Sequence, residues 1–237
     1  FEAIDTNTGK ISLDGTMLYY ENIEPIEDLS YAENVIYYGS KNNDDITIVN
    51  KDVNDAGQII HAIEIQSPQF ENITFANKNN VIIDGDEGDD IITLNLSQIS
   101  DQLTSLTVTG GAGHDIIQNE GHDVLLSGAD LILEAEKIII SGGKIKGNNV
   151  HLISKTEKGS SNPFSDVENI IDLDNTTITA DNDIMLQAIS KQLNPQITVG
   201  ILDLKNTWAA INVTNSNLSA KNISLESLAE LELSLDS

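Results

Sequence analysis

Two glycine-rich turns carry the residues that are best suited to bind a metal ion. They span residues 85–93 (GDEGDDIIT) and 110–118 (GGAGHDIIQ) and follow the pattern G-G-x-G-x-D-x-U-x, where U is aliphatic, with Asp86 in place of one glycine. Glycine permits positive φ and so turns carbonyl oxygens inward, while the aspartate at the sixth position adds a carboxylate. Oxygen ligands of this kind suit Ca²⁺.

The two turns begin 25 residues apart, a distance that suits one coil of a stacked β-structure, so a cation could bridge adjacent coils. The predicted metal ligands are Gly85, Asp86, Glu87, Asp89, Asp90, Gly110, Ala112, Asp115 and Asp123. The alternative interpretation is a pair of Gly/Asp hairpin turns with solvated carboxylates.

Two further segments match the pattern less well. Residues 39–47 (GSKNNDDIT) keep the aspartate and the aliphatic anchor but lose two glycines. Residues 121–125 (GHDVL) preserve only the last half of the pattern, and Asp123 either adds a ligand to the neighbouring coil or lies in a plain turn.

Composition favours cations as partners. The 237 residues include 38 Asp and Glu against 12 basic residues, all of them lysine, for a formal charge of −26. This charge argues against binding to nucleic acid or to anionic membranes. The chain has no cysteine, which excludes disulfides and thiolate metal sites, and no segment apolar enough to insert into a membrane.

Short aliphatic runs separated by Asn, Asp, Gly and Ser predict an all-β protein. Runs such as 46–49 (ITIV), 91–94 (IITL) and 138–140 (III) have the length and composition of strands. A short helix is expected only at 187–193.

The second half contains a repeat with the order aliphatic, any, Gly or Ala, any, Asp or Asn, aliphatic, any, aliphatic. Its copies occupy 126–133, 145–152, 178–186 (with one inserted residue) and 218–225. Stacked coils would align Leu133, Leu152, Leu186 and Leu225 in one buried row, and Asp130, Asn149, Asn182 and Asn222 in a polar ladder at a corner. Uneven spacing predicts an insertion at 155–166 and either another insertion or a degenerate coil between Ala188 and Ala210.

These motifs resemble segments of known bacterial proteins. Residues 81–125 are similar to the calcium β-roll of repeats-in-toxin proteins, and residues 126–237 resemble the right-handed β-helix of filamentous-haemagglutinin-type adhesins. The segments 19–26 (YYENIEPI) and 73–77 (ITFAN) are similar to parts of giant calcium-binding bacterial surface proteins. The resemblance implies a secreted or surface-anchored structural or adhesive protein.

The sequence therefore predicts a right-handed parallel β-helix, or β-solenoid, with calcium-binding turns. We expect residues 1–237 to form one segment of a longer chain, with a calcium-turn half at 1–125 and an Asn-ladder half at 126–237. The expected role is a rigid, calcium-stabilised stalk of an exported protein, whose further partner would be a surface glycan or a protein receptor. The alternatives are a carbohydrate-binding adhesin tip and a polysaccharide lyase or epimerase with Lys144 or Lys146 as base.

Overall fold

The protein is built from β-strands. The structure, a computed structural model, describes residues 1–5, 8–13, 16–21, 25–100, 102–155, 167–193 and 207–232, and these contain no helix that could span a membrane. The first strands are β1 (Glu2–Asp5), β2 (Thr8–Leu13), β3 (Thr16–Glu21), β4 (Ile26–Asp28), β5 (Ala32–Tyr38), β6 (Asp45–Asp55), β7 (Gln58–Gln66), β8 (Ile73–Phe75), β9 (Lys78–Asp84), β10 (Ile91–Asn95), β11 (Ser105–Thr109) and β12 (Ile116–Gln118). The remaining strands are β13 (Val124–Leu125), β14 (Asp130–Ala135), β15 (Lys137–Ser141), β16 (Lys144–Gly147), β17 (Val150–Lys155), β18 (Val167–Asp174), β19 (Thr177–Ala180), β20 (Asp183–Leu193), β21 (Thr207–Thr214), β22 (Asn217–Ser219) and β23 (Asn222–Glu232).

The strands form three sheets. The ten-stranded sheet has the order β23-β20-β17-β14-β11-β9-β5-β1-β2-β3, and the nine-stranded sheet has the order β21-β18-β15-β12-β10-β6-β7-β8-β4. A four-stranded sheet has the order β13-β16-β19-β22. Within the described residues, none of these three sheets closes on itself.

From β14 onward, successive strands join the three sheets in rotation. β14 pairs with β17, β15 with β18 and β16 with β19, each in parallel, so every strand lies beside the strand three positions later. Parallel pairing of this kind requires the chain to travel through the other two sheets before it returns. All pairs between β9 and β23 are parallel.

The N-terminal part departs from the expected parallel architecture. β1, β2 and β3 pair antiparallel, and so do β6, β7 and β8. The β6–β7 hairpin turns at Ala56 and Gly57, whose φ values are 49° and 89°. Two consecutive residues with positive φ form the turn that matches the twist of a two-stranded hairpin. Because of this turn, β7 pairs antiparallel with β6 and the chain does not continue into a parallel coil at this point.

Alternating burial creates the core between the sheets. In β14 and β17 every second residue is buried, and Leu133, Leu152 and Leu186 lie in register with no exposed surface. The predicted leucine row is therefore confirmed for these three. Leu225 is in register with Leu186 but is 56% exposed, because no described strand stacks beyond β23.

The helix expected in the second half is wrong. Residues 187–193 belong to strand β20 rather than to a helix, because burial alternates with period two from Ile184 to Ser190. Asp183 and its register partner Asn222 are 39 positions apart, and β21, which lies between them in the sequence, pairs directly with β18. Residues 194–206, the middle of the range where an insertion or a degenerate coil was expected, lie outside the described residues. The insertion expected at 155–166 lies, beyond Lys155, outside the described residues.

A carboxylate ladder at the stacked glycine turns

The two glycine turns lie one above the other, as their spacing predicts. The N–H of Gly88 donates to the carbonyl of Ala112 at 3.0 Å, and the N–H of Ala112 donates to the carbonyl of Asp86 at 2.7 Å. The strands that follow continue this register, with Ile91 beside Ile116. The two turns therefore belong to adjacent layers of the nine-stranded sheet.

Glycine is required where the turns touch. A Cβ atom at Gly113 would lie 1.6 Å from the carbonyl oxygen of Gly88. A Cβ atom at Gly85 would lie 2.2 Å from Oδ2 of Asp90 and 2.2 Å from the carbonyl oxygen of Gly110. The absent side chain of Gly85 thus leaves room for a carboxylate oxygen and a carbonyl oxygen to approach one another.

Four acidic side chains form a buried ladder across successive layers. The N–H of Asp44 donates to Oδ1 of Asp90 at 2.7 Å, and the N–H of Asp90 donates to Oδ1 of Asp115 at 2.8 Å. The N–H of Asp115 donates in turn to Oε2 of Glu136 at 3.0 Å. The carboxylates of Asp90, Asp115 and Glu136 therefore each accept a hydrogen bond from the backbone of the equivalent residue in the preceding layer.

The second oxygens of the two central carboxylates have no hydrogen-bond partner. Asp90 is 0% and Asp115 1% exposed, and Oδ2 of each is buried and unpaired. Burial, together with the neighbouring charges of Asp115, Asp44 and Asp89, raises the pKa of Asp90 to about 8. Burial and the charge of Glu136 raise the pKa of Asp115 to about 7. Both sites therefore favour neutralisation of the carboxylate, by a proton or by a cation.

The Asp44 carboxylate is satisfied within its own turn. Its Oδ2 accepts the N–H of Ser40 at 2.7 Å, and its Oδ1 accepts the Ser40 hydroxyl at 2.9 Å. Burial nevertheless raises the pKa of Asp44. The degenerate third copy of the pattern thus joins the ladder, but serine supplies the hydrogen bonds that Asp90 and Asp115 lack at Oδ2.

The other predicted ligands have different roles in the structure. Asp86 has a φ of 76° and so adopts the conformation of the glycine that it replaces. Glu87 is exposed and pairs with Lys41, whereas Oδ1 of Asp89 accepts the N–H of His114 at 3.0 Å.

Asp123 lies at a different corner. It precedes β13, and its Oδ1 accepts the N–H of Lys144 at 2.7 Å. The structure therefore brings together Gly85, Asp90, Gly110 and Asp115, but does not bring Asp123 to them.

Glu136 was not among the predicted ligands. It immediately precedes β15, just as Asp115 immediately precedes β12, and Lys137 pairs with Ile116. The sequence feature that could have indicated Glu136 is an acidic residue directly before an aliphatic strand, one coil after Asp115. No glycine turn precedes it.

Side chains alone do not make a metal site in the part of the chain that the structure describes. No group of three or more His, Asp or Glu side chains is arranged to hold a metal ion there. A cation at the ladder would therefore need backbone carbonyl oxygens from the glycine turns, in addition to the aspartate oxygens. Calcium accepts such mixed ligand sets.

The polar ladder predicted for the second half is present with one change. Asn149 donates from Nδ2 to Oδ1 of Asp130 at 2.8 Å, and Oδ1 of Asn149 accepts the N–H of Asp183 at 3.2 Å. Asn222 then donates to Oδ1 of Asp183 at 2.6 Å. Asp183, not Asn182, occupies the ladder position, because the inserted residue shifts the register by one.

The chain was compared with family models, with curated proteins and with solved structures. None of the three comparisons finds a match.

Proposed function

We propose that the three sheets are the walls of one right-handed parallel β-solenoid that is stabilised by calcium bound between its glycine turns. The observation that carries this proposal is the pair of buried, unpartnered Oδ2 atoms on Asp90 and Asp115, one layer apart. From β14 onward the strands rotate among three sheets and each stacks on the one three positions earlier, which is the expected path of such a solenoid.

Electrostatics favours a divalent cation at this position. Four acidic side chains follow one another along the ladder, and an ionised carboxylate without a partner is costly to bury. A divalent ion between Asp90 and Asp115 would neutralise both charges. The carbonyl oxygen of Gly110, which lies with Oδ2 of Asp90 around the position of the absent Gly85 Cβ, is a candidate backbone ligand.

The role that fits this arrangement is a rigid structural segment of an exported bacterial surface protein. Where calcium is scarce, repulsion between the ionised carboxylates of the ladder would keep the turns apart. Where calcium is abundant, the bound ion would neutralise these charges and the turns would stack. The resemblance of residues 81–125 to calcium β-rolls and the charge of −26 both agree with this role.

Thermal unfolding in the presence of chelator, magnesium or calcium tests the proposal. We expect calcium to raise the melting temperature and magnesium to have little effect, because Mg²⁺ requires a small octahedral site and retains its water. The same melting temperature in all three conditions would exclude a calcium site.

Substitution of one ladder residue locates the ion. We expect Asp115→Ala to weaken calcium binding by about ten-fold or more in a calorimetric titration, a loss of at least ~1.4 kcal/mol. The control is Asp181→Ala, which removes an exposed carboxylate from the turn before β20. Equal calcium affinity of the two variants would show that the ion does not bind at the ladder.

A further inference from the structure

A groove crosses the outer face of the nine-stranded sheet at β6, β10 and β12. Its volume is about 400 Å³, within the range of small-ligand sites. Its floor lies on the opposite side of the sheet from Ile46, Ile92 and Ile117, which are fully buried in the core. The groove is therefore separate from the carboxylate ladder and goes beyond the structural role proposed above.

The floor of the groove is polar and uncharged. Thr47, Thr93 and Gln118 are register partners and form one row across the three strands. The row spans about 10 Å, or two strand spacings. Nε2 of Gln118 lies 3.3 Å from Oγ1 of Thr93 and 3.2 Å from Oε1 of Glu120, so neighbouring side chains hold the amide in place. Hydroxyl and amide groups in a row are complementary to the hydroxyls of a sugar chain.

The rims of the groove are acidic. Asp45 on β6 and Glu120 after β12 are both exposed and both line the groove. Among the described residues that line the groove, His122 is the one basic side chain and none is a lysine, and the chain carries a net charge of −26. A uronate or sulfated sugar would be repelled here, whereas a ligand with amino groups would be attracted.

We infer that this groove binds a short oligosaccharide of amino sugars with free amines. The sugar hydroxyls would bond to Thr47, Thr93 and Gln118, and the ammonium groups would pair with Asp45 and Glu120. Exposed Ile91, the register partner of Asp45, lies beside the polar row and offers an aliphatic surface to the ring C–H groups.

Calorimetric titration of the calcium-saturated protein at about 0.15 M salt, where long-range attraction is screened, tests this inference. The probes are a glucosamine trisaccharide, its fully N-acetylated form and a galacturonate trisaccharide. We expect the glucosamine form to bind about ten-fold tighter than the acetylated form, and the galacturonate form not to bind. Absence of binding by the glucosamine form, or equal affinity for it and the galacturonate form, would overturn the inference.

Neutral substitutions separate a specific site from general attraction to an acidic protein. We expect Gln118→Leu, which leaves the net charge unchanged, to weaken binding of the glucosamine trisaccharide by about ten-fold. The matched control is Thr107→Val, on the ten-stranded sheet. Unchanged affinity of Gln118→Leu would show that only the overall charge attracts the ligand.

A pair of charge substitutions tests the rims. Asp45→Asn combined with Glu120→Gln is expected to abolish the preference for free amines. Glu33→Gln combined with Glu226→Gln removes the same charge from exposed positions on the ten-stranded sheet and is expected to preserve that preference. The same loss of preference in both double variants would refute the assignment of the ligand to this groove.

Discussion

Asp90 and Asp115 should make the metal-free protein less stable as the pH rises from acidic to neutral. Their folded-state pKa values, about 8 and about 7, lie above the usual aspartate value of about 3.9. Between about pH 4 and pH 7 the folded chain therefore holds two protons that the unfolded chain has released. Because the folded state binds more protons, its stability is greatest below this window and is lost as the pH rises through it.

The size of the effect follows from proton linkage. Each such group costs about 1.4 kcal/mol per pH unit inside the window, so the pair costs about 3 kcal/mol between about pH 5 and about pH 6. The double variant Asp90→Asn, Asp115→Asn should lack this contribution. An asparagine side chain can accept the same backbone N–H and can donate from its Nδ2 where the protonated acid would donate.

Urea unfolding in the presence of chelator at about pH 5 and about pH 6 measures how much free energy of unfolding each protein loses. The difference between wild type and the double variant gives the contribution of Asp90 and Asp115, because the other acidic residues contribute equally to both proteins. Saturating calcium should remove or reverse the dependence, because metal ligands bind in their deprotonated form. If the chelated wild type and the double variant lose the same free energy of unfolding between the two pH values, the buried ladder does not titrate as described.

Two further substitutions test the packing of the layers. Leu152→Ala removes a fully buried member of the leucine row and should lower the free energy of unfolding by roughly 2–5 kcal/mol. His151→Ala, at the half-buried outward neighbour, should lower it by about 0.5 kcal/mol or less. Equal urea midpoints for the two variants would contradict the register. Gly113→Ala places a methyl group against the carbonyl of Gly88 and should lower both the melting temperature and the calcium affinity, so an unchanged melting temperature would disprove the close contact of the two turns.

The repeat pattern predicted the stacking of the second half because its constraint is periodic. Leu133, Leu152 and Leu186 could be aligned from the sequence alone, since any slip by one residue would turn leucines outward. The pattern failed at Asn182, where one inserted residue moved Asp183 into the ladder. The repeat pattern does not specify which of the two neighbouring residues takes the ladder position, because Asn182 and Asp183 both carry an Asx side chain.

The glycine pattern likewise predicted which turns stack, but not how each carboxylate is satisfied. Asp44, Asp90 and Asp115 occupy the same position of the pattern, yet Ser40 bonds both oxygens of Asp44 alone. The ladder residue Glu136 does not follow a glycine turn, so the glycine pattern did not predict it. Both features depend on contacts between layers, which the local sequence does not specify.

The ladder also gives a physical reason why the two halves of the chain should respond differently to calcium. The position held by Asp115 and Glu136 in two successive layers is held in the next layer by Asn169, since the N–H of Ile170 bonds to the carbonyl of Glu136. Asn169 is fully buried, but its amide is neutral and Nδ2 donates to the carbonyl of Ile189 at 2.9 Å. In the layer after Glu136, the ladder position therefore holds an amide that needs no counter-ion, whereas the earlier layers hold buried acids at this position.

Removal of calcium should consequently destabilise the layers at the glycine turns first. The coils beyond Glu136 should retain the slow amide hydrogen exchange of a stacked sheet. Uniform loss of protection along the whole chain after addition of chelator would show instead that all layers unfold as one cooperative unit.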